Sequence, residues 1–502
     1  MRIKRTVCLS LALLMLAAAL VSCSVGTEED DEPLFPGETR DPGTDTAAPL
    51  PTDEPADRDT VHDLPADLDF EGASFRMASS GMWSCLVNYE DTKGEVLSDA
   101  QYDVKRYAEE LLGVEVAEEN ILSATAGGAA VSYALSGDTA IQVYNLLDRD
   151  AFSSMLKNVY YPYGSLKYID LSKKYWYSDI ADKLSVGDYQ FMALGSVQLN
   201  SFRNVACLFM NQTVAEDYGL ALPFDDVTAG TWTFDKLKAY QGTVRQDVDG
   251  DGEISEEDTN TFGSTEAMQN VVNTLSAADV HFIGKGENGY PTLLAYGNEK
   301  LIDAMEYCRK LFFDPEDCPW HDSKSTSQNS IPMFVHDREL FMTAKIGDMA
   351  NERMREMESV YAVLPYPKWD EAQENYISRT FDSIYHMTFK TAPDPDMVSA
   401  VLEAMNARAY EELIPALIET SLQYKYNNDP RNVANIRICF DTRCVEMSDF
   451  MTWSLFGDTP TWKRMYQTAV SPTAWLASVQ VAAETVLGTA VENLQTLAQS
   501  LQ

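Results

Sequence analysis

An α/β fold with a mainly parallel sheet is what this sequence predicts, and three observations carry it. Short apolar runs at Ser74–Ala78, Val114–Val116 and Ile141–Leu147 have the length and composition of strands. Between the first two lies Leu97–Gly113, where Ala100, Val104, Tyr107, Ala108 and Leu111 fall on one face at helical spacing. A strand–helix–strand order of this kind closes as a parallel unit with the helix covering the sheet.

The elements follow in order. Gly72 supplies the turn before the first strand, and Gly113 is a C-terminal stop for the helix. Tyr189–Leu194 and Val205–Met210 read as further strands. Trp232-Thr233-Phe234-Asp235 opens a helix through Tyr240. Helical spacing covers Glu299–Phe312, Lys345–Glu358 and Asp396–Glu412, and the alanine-rich tail 469–502 is helical as well. There is no internal repeat.

The N-terminal region predicts an address and a tether. A cationic start, Met1-Arg2-Ile3-Lys4-Arg5, precedes an uncharged apolar run from Leu9 to Val21. That run falls short of the roughly 20 residues a membrane span needs and fits the apolar core of a secretory signal. It ends in Leu20-Val21-Ser22-Cys23, which resembles the lipobox of bacterial lipoproteins. The resemblance implies a signal peptide over 1–22, lipid on Cys23, and tethering to the outer face of the cytoplasmic membrane. Residues 23–67 are acidic and proline-bearing, with Arg40 and Arg58 as the only strong bases. Such a segment buries too little apolar surface to offset its ordering entropy, so it reads as a solvated stalk. No later stretch reads as a membrane span, which leaves the lipid as the expected anchor.

Composition narrows the function classes. The formal net charge of −40 repels polyanions and argues against nucleic acid as a partner. Of eight cysteines, Cys85, Cys207, Cys308, Cys318, Cys439 and Cys444 remain in the body, and their connectivity is open. No CxxC occurs. The histidines are His62, His281, His321, His336 and His386, with no HExxH, and no GxSxG is present. Ser154-Met155-Leu156-Lys157 matches SxxK without the companion motifs of a serine acyl-enzyme. A binder is expected rather than an enzyme. A lipid-anchored glycan-active enzyme, whose carboxylate pair would be hidden among the many acids, and an adhesin are the alternatives.

A series of short motifs carries a likeness. Asp69-Phe70-Glu71-Gly72 leads into the first strand, and Ser136-Gly137-Asp138 precedes that at Ile141. Tyr168-Ile169-Asp170-Leu171-Ser172 leads to Tyr175-Trp176, and Leu208-Phe209-Met210-Asn211 to Ala215-Glu216-Asp217-Tyr218-Gly219-Leu220. Then come Thr231–Leu237, Leu340-Phe341-Met342, Val363–Lys368 and Val401-Leu402-Glu403-Ala404. In this order they resemble the extracellular solute-binding proteins of bacterial ABC importers, of the maltose-binding-like, carbohydrate-type family. Thr343-Ala344-Lys345 and Trp176-Tyr177 depart from that pattern.

The resemblance implies a two-lobe periplasmic-binding-protein-like fold with a hinge and an interlobe cleft. Lobe 1 would comprise 68–192 and 366–412, lobe 2 193–365 and 413–502. It implies a monomer that captures a small-molecule solute of the carbohydrate class and docks on ABC permease subunits.

Two sets of site residues follow. Ligands of open α/β sheets sit at the carboxyl ends of strands, which points to Trp83, Asp148 and, at a helix start, Asp348. Arg379, Asp382 and Tyr385 lie just past a proposed crossing. Sugars need hydrogen-bonding groups and an aromatic face, for which Trp83, Trp176, Tyr385 and Trp453 are candidates. The second set is Asp247-Val248-Asp249-Gly250-Asp251-Gly252-Glu253-Ile254-Ser255-Glu256-Glu257-Asp258. It matches the twelve-residue calcium loop: Asp247, Asp249 and Asp251 converge, Gly252 turns, Glu253 offers its carbonyl and Asp258 closes the set. A structural Ca²⁺ is expected there. An acidic surface turn is the plain alternative.

Overall fold

The computed structural model describes residues 60–79, 94–121, 126–252, 254, 257–262, 267–312, 327–423, 429–452, 455–456 and 470–501. Cys23, Trp83, Glu253 and Trp453 lie outside them, as do the proposed signal and most of the stalk.

In chain order the strands are β1 (Ala73–Ser79), β2 (Val114–Asn120), β3 (Val143–Leu147), β4 (Ala206–Asn211), β5 (Arg245–Gln246), β6 (Thr259–Asn260), β7 (Ile283–Lys285), β8 (Pro291–Leu293), β9 (Phe341–Lys345), β10 (Tyr361–Leu364), β11 (Ser378–Arg379), β12 (Ile384–Thr388) and β13 (Arg443–Cys444). One sheet has the order β12-β3-β1-β2, with β1 parallel to both neighbours and β12 antiparallel to β3. The other is β10-β4-β9, antiparallel throughout. Two lobes are built on these sheets.

The first α/β unit forms as its sequence dictates. Helix Val96–Leu112 buries Leu97, Val104, Ala108 and Leu112 and ends at Gly113, which has φ 60°. A side chain at that position would meet the Asp69 carboxylate, its Cβ lying 2.1 Å from Oδ1. Glycine is required there for both backbone and space. Helix Pro395–Arg408 is buried along most of its length because it packs on Val96–Leu112 and on β1. It continues into a π-helical turn, Ala409–Leu413.

Several expectations change. The sheet of the second lobe is antiparallel, because β9 and β10 flank β4 without parallel crossovers. Tyr189–Leu194 forms no strand; it carries single bridges, Val186 to Tyr189 and Ala193 to His386. The stretch Lys345–Glu358 is broken: a 3-10 turn, Ile346–Ala350, is followed by helix Glu352–Glu356. The extended Asn351 separates them and caps the second through Arg353 N–H. Contacts also begin before Leu68: His62 Nε2 lies 2.7 Å from Tyr107 Oη, and Lys173 Nζ bonds Asp63 at 2.7 Å.

The C-terminal helix Pro472–Gln499 corrects a further expectation. By length and composition it is apolar enough to cross a membrane. In this structure Trp475, Leu476, Leu487, Leu494 and Leu497 are buried, and the helix packs on β8 and helix Glu299–Phe312. Among the described residues Cys207, Cys308, Cys439 and Cys444 are buried thiols outside any disulfide.

Candidate functional site

Asp148 follows β3 directly and starts helix Asp148–Met155. Its N–H donates to Ser383 O at 3.0 Å, and its Oδ1 accepts Arg149 N–H at 2.6 Å. The antiparallel register that pairs Ile384 with Leu147 brings Asp382 and Ser383 to the same end of the sheet. Asp382 has φ 48°, a left-handed backbone that Asp tolerates better than most residues. Helix Met447–Met451 packs on Asp148–Met155, with the Phe152 and Phe450 rings 5.7 Å apart.

A buried guanidinium anchors the cluster. Arg379 Nε and Nη2 donate to the two oxygens of Asp449 at 3.0 and 2.9 Å, a fork-on-fork pair. Arg379 Nη1 donates to Asn273 Oδ1 at 3.0 Å. Burial pushes the Asp148 carboxyl well above its ordinary value, and the charges of Asp449 and Asp382 push the same way. Burial also raises Asp449, to about 6, against the opposing pull of Arg379. Burial, helped by the Asp148 charge, holds the Tyr385 hydroxyl protonated. Asp449 thus pairs with the guanidinium, while Asp148 lies buried within the fields of Asp449 and Asp382.

Two buried polar groups flank this cluster. Ser79, the last residue of β1, bonds Glu118 Oε1 and accepts from Asn145 Nδ2 at 2.9 Å. Asn145 Oδ1 lies 2.7 Å from His386 Nδ1. Burial lowers the His386 pKa to about 3, so the imidazole is neutral, and its buried Nε2 has no hydrogen-bond partner among the described residues. On the other side His281 Nδ1 lies 3.0 Å from both Glu446 carboxylate oxygens.

The structure therefore brings four of the proposed ligand residues together: Asp148, Arg379, Asp382 and Tyr385. Asp148, Arg379 and Tyr385 are all buried, so their side chains are closed off from solvent in this conformation. Trp176 lies apart from them in the core. Its Nε1 donates to Glu403 Oε2 at 2.7 Å, and its ring meets Tyr163, Tyr175 and His386 edge-on or tilted. Asp348 turns inward on its own segment: Oδ2 accepts Lys345 N–H at 2.9 Å, which caps the 3-10 turn. Sequence reasoning missed Asn145, Asp449, Glu446 and His281. The rarity of histidine was the one usable signal for the last.

The acidic loop is folded around its first residue. Asp247 Oδ1 accepts Gly250 N–H at 2.6 Å and Oδ2 accepts Gly252 N–H at 2.9 Å. Asp258 Oδ1 accepts Val248 N–H at 2.7 Å and is fully buried. One carboxylate oxygen from each of Asp247, Asp249 and Asp258 lies within 4.8 Å of the others. A bond from Asp251 N–H lowers the Asp249 pKa, but desolvation and the charges of Asp251, Asp258 and Asp247 outweigh it and raise the group. Oxygen donors at such spacing fit a hard divalent cation.

No protein-family profile and no curated protein matches the sequence. Solved structures do match. UspC of M. tuberculosis superposes with a TM-score of 0.55 at 13% identity, over 82% of this chain and 100% of that one. The fold is the two-lobe periplasmic-binding-protein-like fold. The GacH receptor of Streptomyces glaucescens, solved unliganded and with acarbose, matches with a TM-score of 0.54 at 12% identity, over 83% and 99%. An ABC substrate-binding protein from Listeria monocytogenes, in complex with cycloalternan, matches at 0.51 and 10%, over 85% and 99%. The Asp148 cluster stands at the carboxyl end of β3.

Proposed function

We propose that the protein captures a polyhydroxylated solute, a sugar or oligosaccharide, outside the cytoplasm and delivers it to an ABC importer. The observation that carries this reading is the buried group of Asp148, Asp382 and Asp449, with Arg379 paired to Asp449, at the carboxyl end of β3. Carboxylates are acceptors of two or more hydrogen bonds each, and the hydroxyls of a sugar are donors in matching number. Lobe separation would expose the group, and solute would favour the closed form by its differential affinity. Lipid on Cys23, followed by the acidic stalk, would hold the binder beside its permease. The sequence motifs and the ligands of the solved two-lobe proteins support the carbohydrate class.

The test is calorimetric titration of the full chain with maltotetraose, acarbose and cycloalternan. Saturable binding without turnover, weakened by Asp148→Asn, is the expected result. Hydrolysis of any of these compounds would replace the reading with that of a glycan-active enzyme.

We also propose that Asp247, Asp249, Asp251, Asp258 and the Glu253 carbonyl hold a structural Ca²⁺. Mutual repulsion at Asp249 is what a cation would relieve.

A further inference from the structure

A second feature sits behind the site. β11 and β13 run parallel, with Ser378 opposite Arg443 and Arg379 opposite Cys444. Side chains alternate between the two faces of a strand. Arg443 therefore leaves this ribbon on the face opposite Arg379, away from Asp449. There it lines an open cavity of about 400 Å³ together with Tyr177, Phe202, Tyr410 and Phe440. That volume lies in the range of small-molecule pockets, roughly 300–1,000 Å³.

The wall has two chemistries. The Arg443 guanidinium lies 4.5 Å from the Tyr177 ring centre and 4.2 Å from that of Phe202. Its Nη1 donates to Phe440 O, while its buried Nε has no partner among the described residues. Arg437 and Lys174 stand at the same wall, with Asp441 the acid among the lining residues. A concentration of bases is unexpected in a chain of net charge −40. Ile180, Ile414, Pro415 and Ile418 make an apolar part of the wall. A guanidinium held flat by aromatic rings presents donors in a planar fork, which suits a carboxylate better than a point charge.

We propose that this cavity is a second ligand site, taking a small organic carboxylate whose charge pairs with Arg443 and Arg437 and whose ring or apolar body rests on Tyr410 and Phe440. Burial lowers the Arg443 pKa, and a bound carboxylate would offset that effect. The site is independent of solute capture at Asp148.

The full-length protein is titrated with benzoate and glucuronate, and with their uncharged counterparts benzamide and glucose. At least one carboxylate should bind saturably, its counterpart about tenfold more weakly, and Arg443→Gln should weaken the carboxylate about tenfold. Arg437→Ala, at an exposed position, should weaken it about threefold, and less as salt is added. Failure of both carboxylates to bind overturns the proposal. So does equal binding of the uncharged counterpart, or an unchanged affinity in Arg443→Gln. If Arg443→Gln does not fold, Arg437→Ala and Tyr410→Ala decide, and unchanged carboxylate affinity in both overturns it.

Discussion

Replacement of His281 by glutamine should cost stability in a way that pH controls. The imidazole is largely buried, with its Nδ1 3.0 Å from Glu446 Oε2 and its Nε2 3.5 Å from Asp279 Oδ1. The Glu446 charge, against a smaller desolvation effect, raises it from 6.5 to about 9. That rise corresponds to roughly 3 kcal/mol of stability. Because the folded pKa is the higher, the contribution is complete below pH 6.5 and is lost as pH rises through about 9. Glu446 is the same interaction from the other side. Burial opposes its ionisation, but the charges of His281 and Lys183 and its hydrogen bonds bring it to about 2. Its share is present above pH 4.5 and is lost as pH falls through about 2, and it is not added to the first. Urea unfolding of wild type and His281→Gln at pH 6, 8 and 10 reads the difference directly. The gap should be roughly 3 kcal/mol at pH 6 and should shrink toward pH 10. A gap of the same size at pH 6 and 10 would refute the electrostatic account and leave packing as the cause.

Glu403→Gln should flatten a second pH slope. Burial raises Glu403 to about 7 against the bonds from Tyr175 and Trp176, so wild type loses roughly 3 kcal/mol as pH rises from 4.5 through 7, while the variant does not. Gly195→Ala should destabilise by roughly 1–3 kcal/mol, because a Cβ there lies 2.0 Å from Asn406 Oδ1, which already accepts Val197 N–H; chemical denaturation measures it. Calcium should raise the melting temperature, and Asp247→Asn with Asp258→Asn should abolish the increase in a calorimetric scan; an increase kept by the double variant would place the ion elsewhere. Arg379→Met should cost roughly 3–5 kcal/mol by leaving Asp449 buried without its partner, and the loss should shrink at pH 4, where Asp449 is protonated.

Much of the fold was legible because its signals are local. The spacing in Val96–Leu112, the stop at Gly113 and the apolar runs of β1 to β4 each act within a few residues. What the sequence concealed depends on register between distant segments. Nothing near Asp449 announces Arg379, seventy positions away in the chain. Nothing near Trp176 announces Glu403, which turns an apparent sugar-stacking ring into a hydrogen-bonded core residue. Asp348 misled for the opposite reason: its partner, Lys345 N–H, is so close in sequence that the local turn captured the carboxylate. The convergence of Asp247, Asp249 and Asp258 was legible because all three come from one short run.

The pairing of β12 with β3 has a kinetic consequence. His386 lies opposite Asn145, although the two are 241 positions apart in sequence. The first sheet therefore stays incomplete until nearly four-fifths of the chain is available. Loop closure on that scale is slow, and an open β3 edge is a template for wrong pairing while it waits. A shortened chain ending before Ile384 should thus aggregate rather than fold as a lobe. Folding of the first lobe is obliged to follow, not precede, synthesis of much of the second.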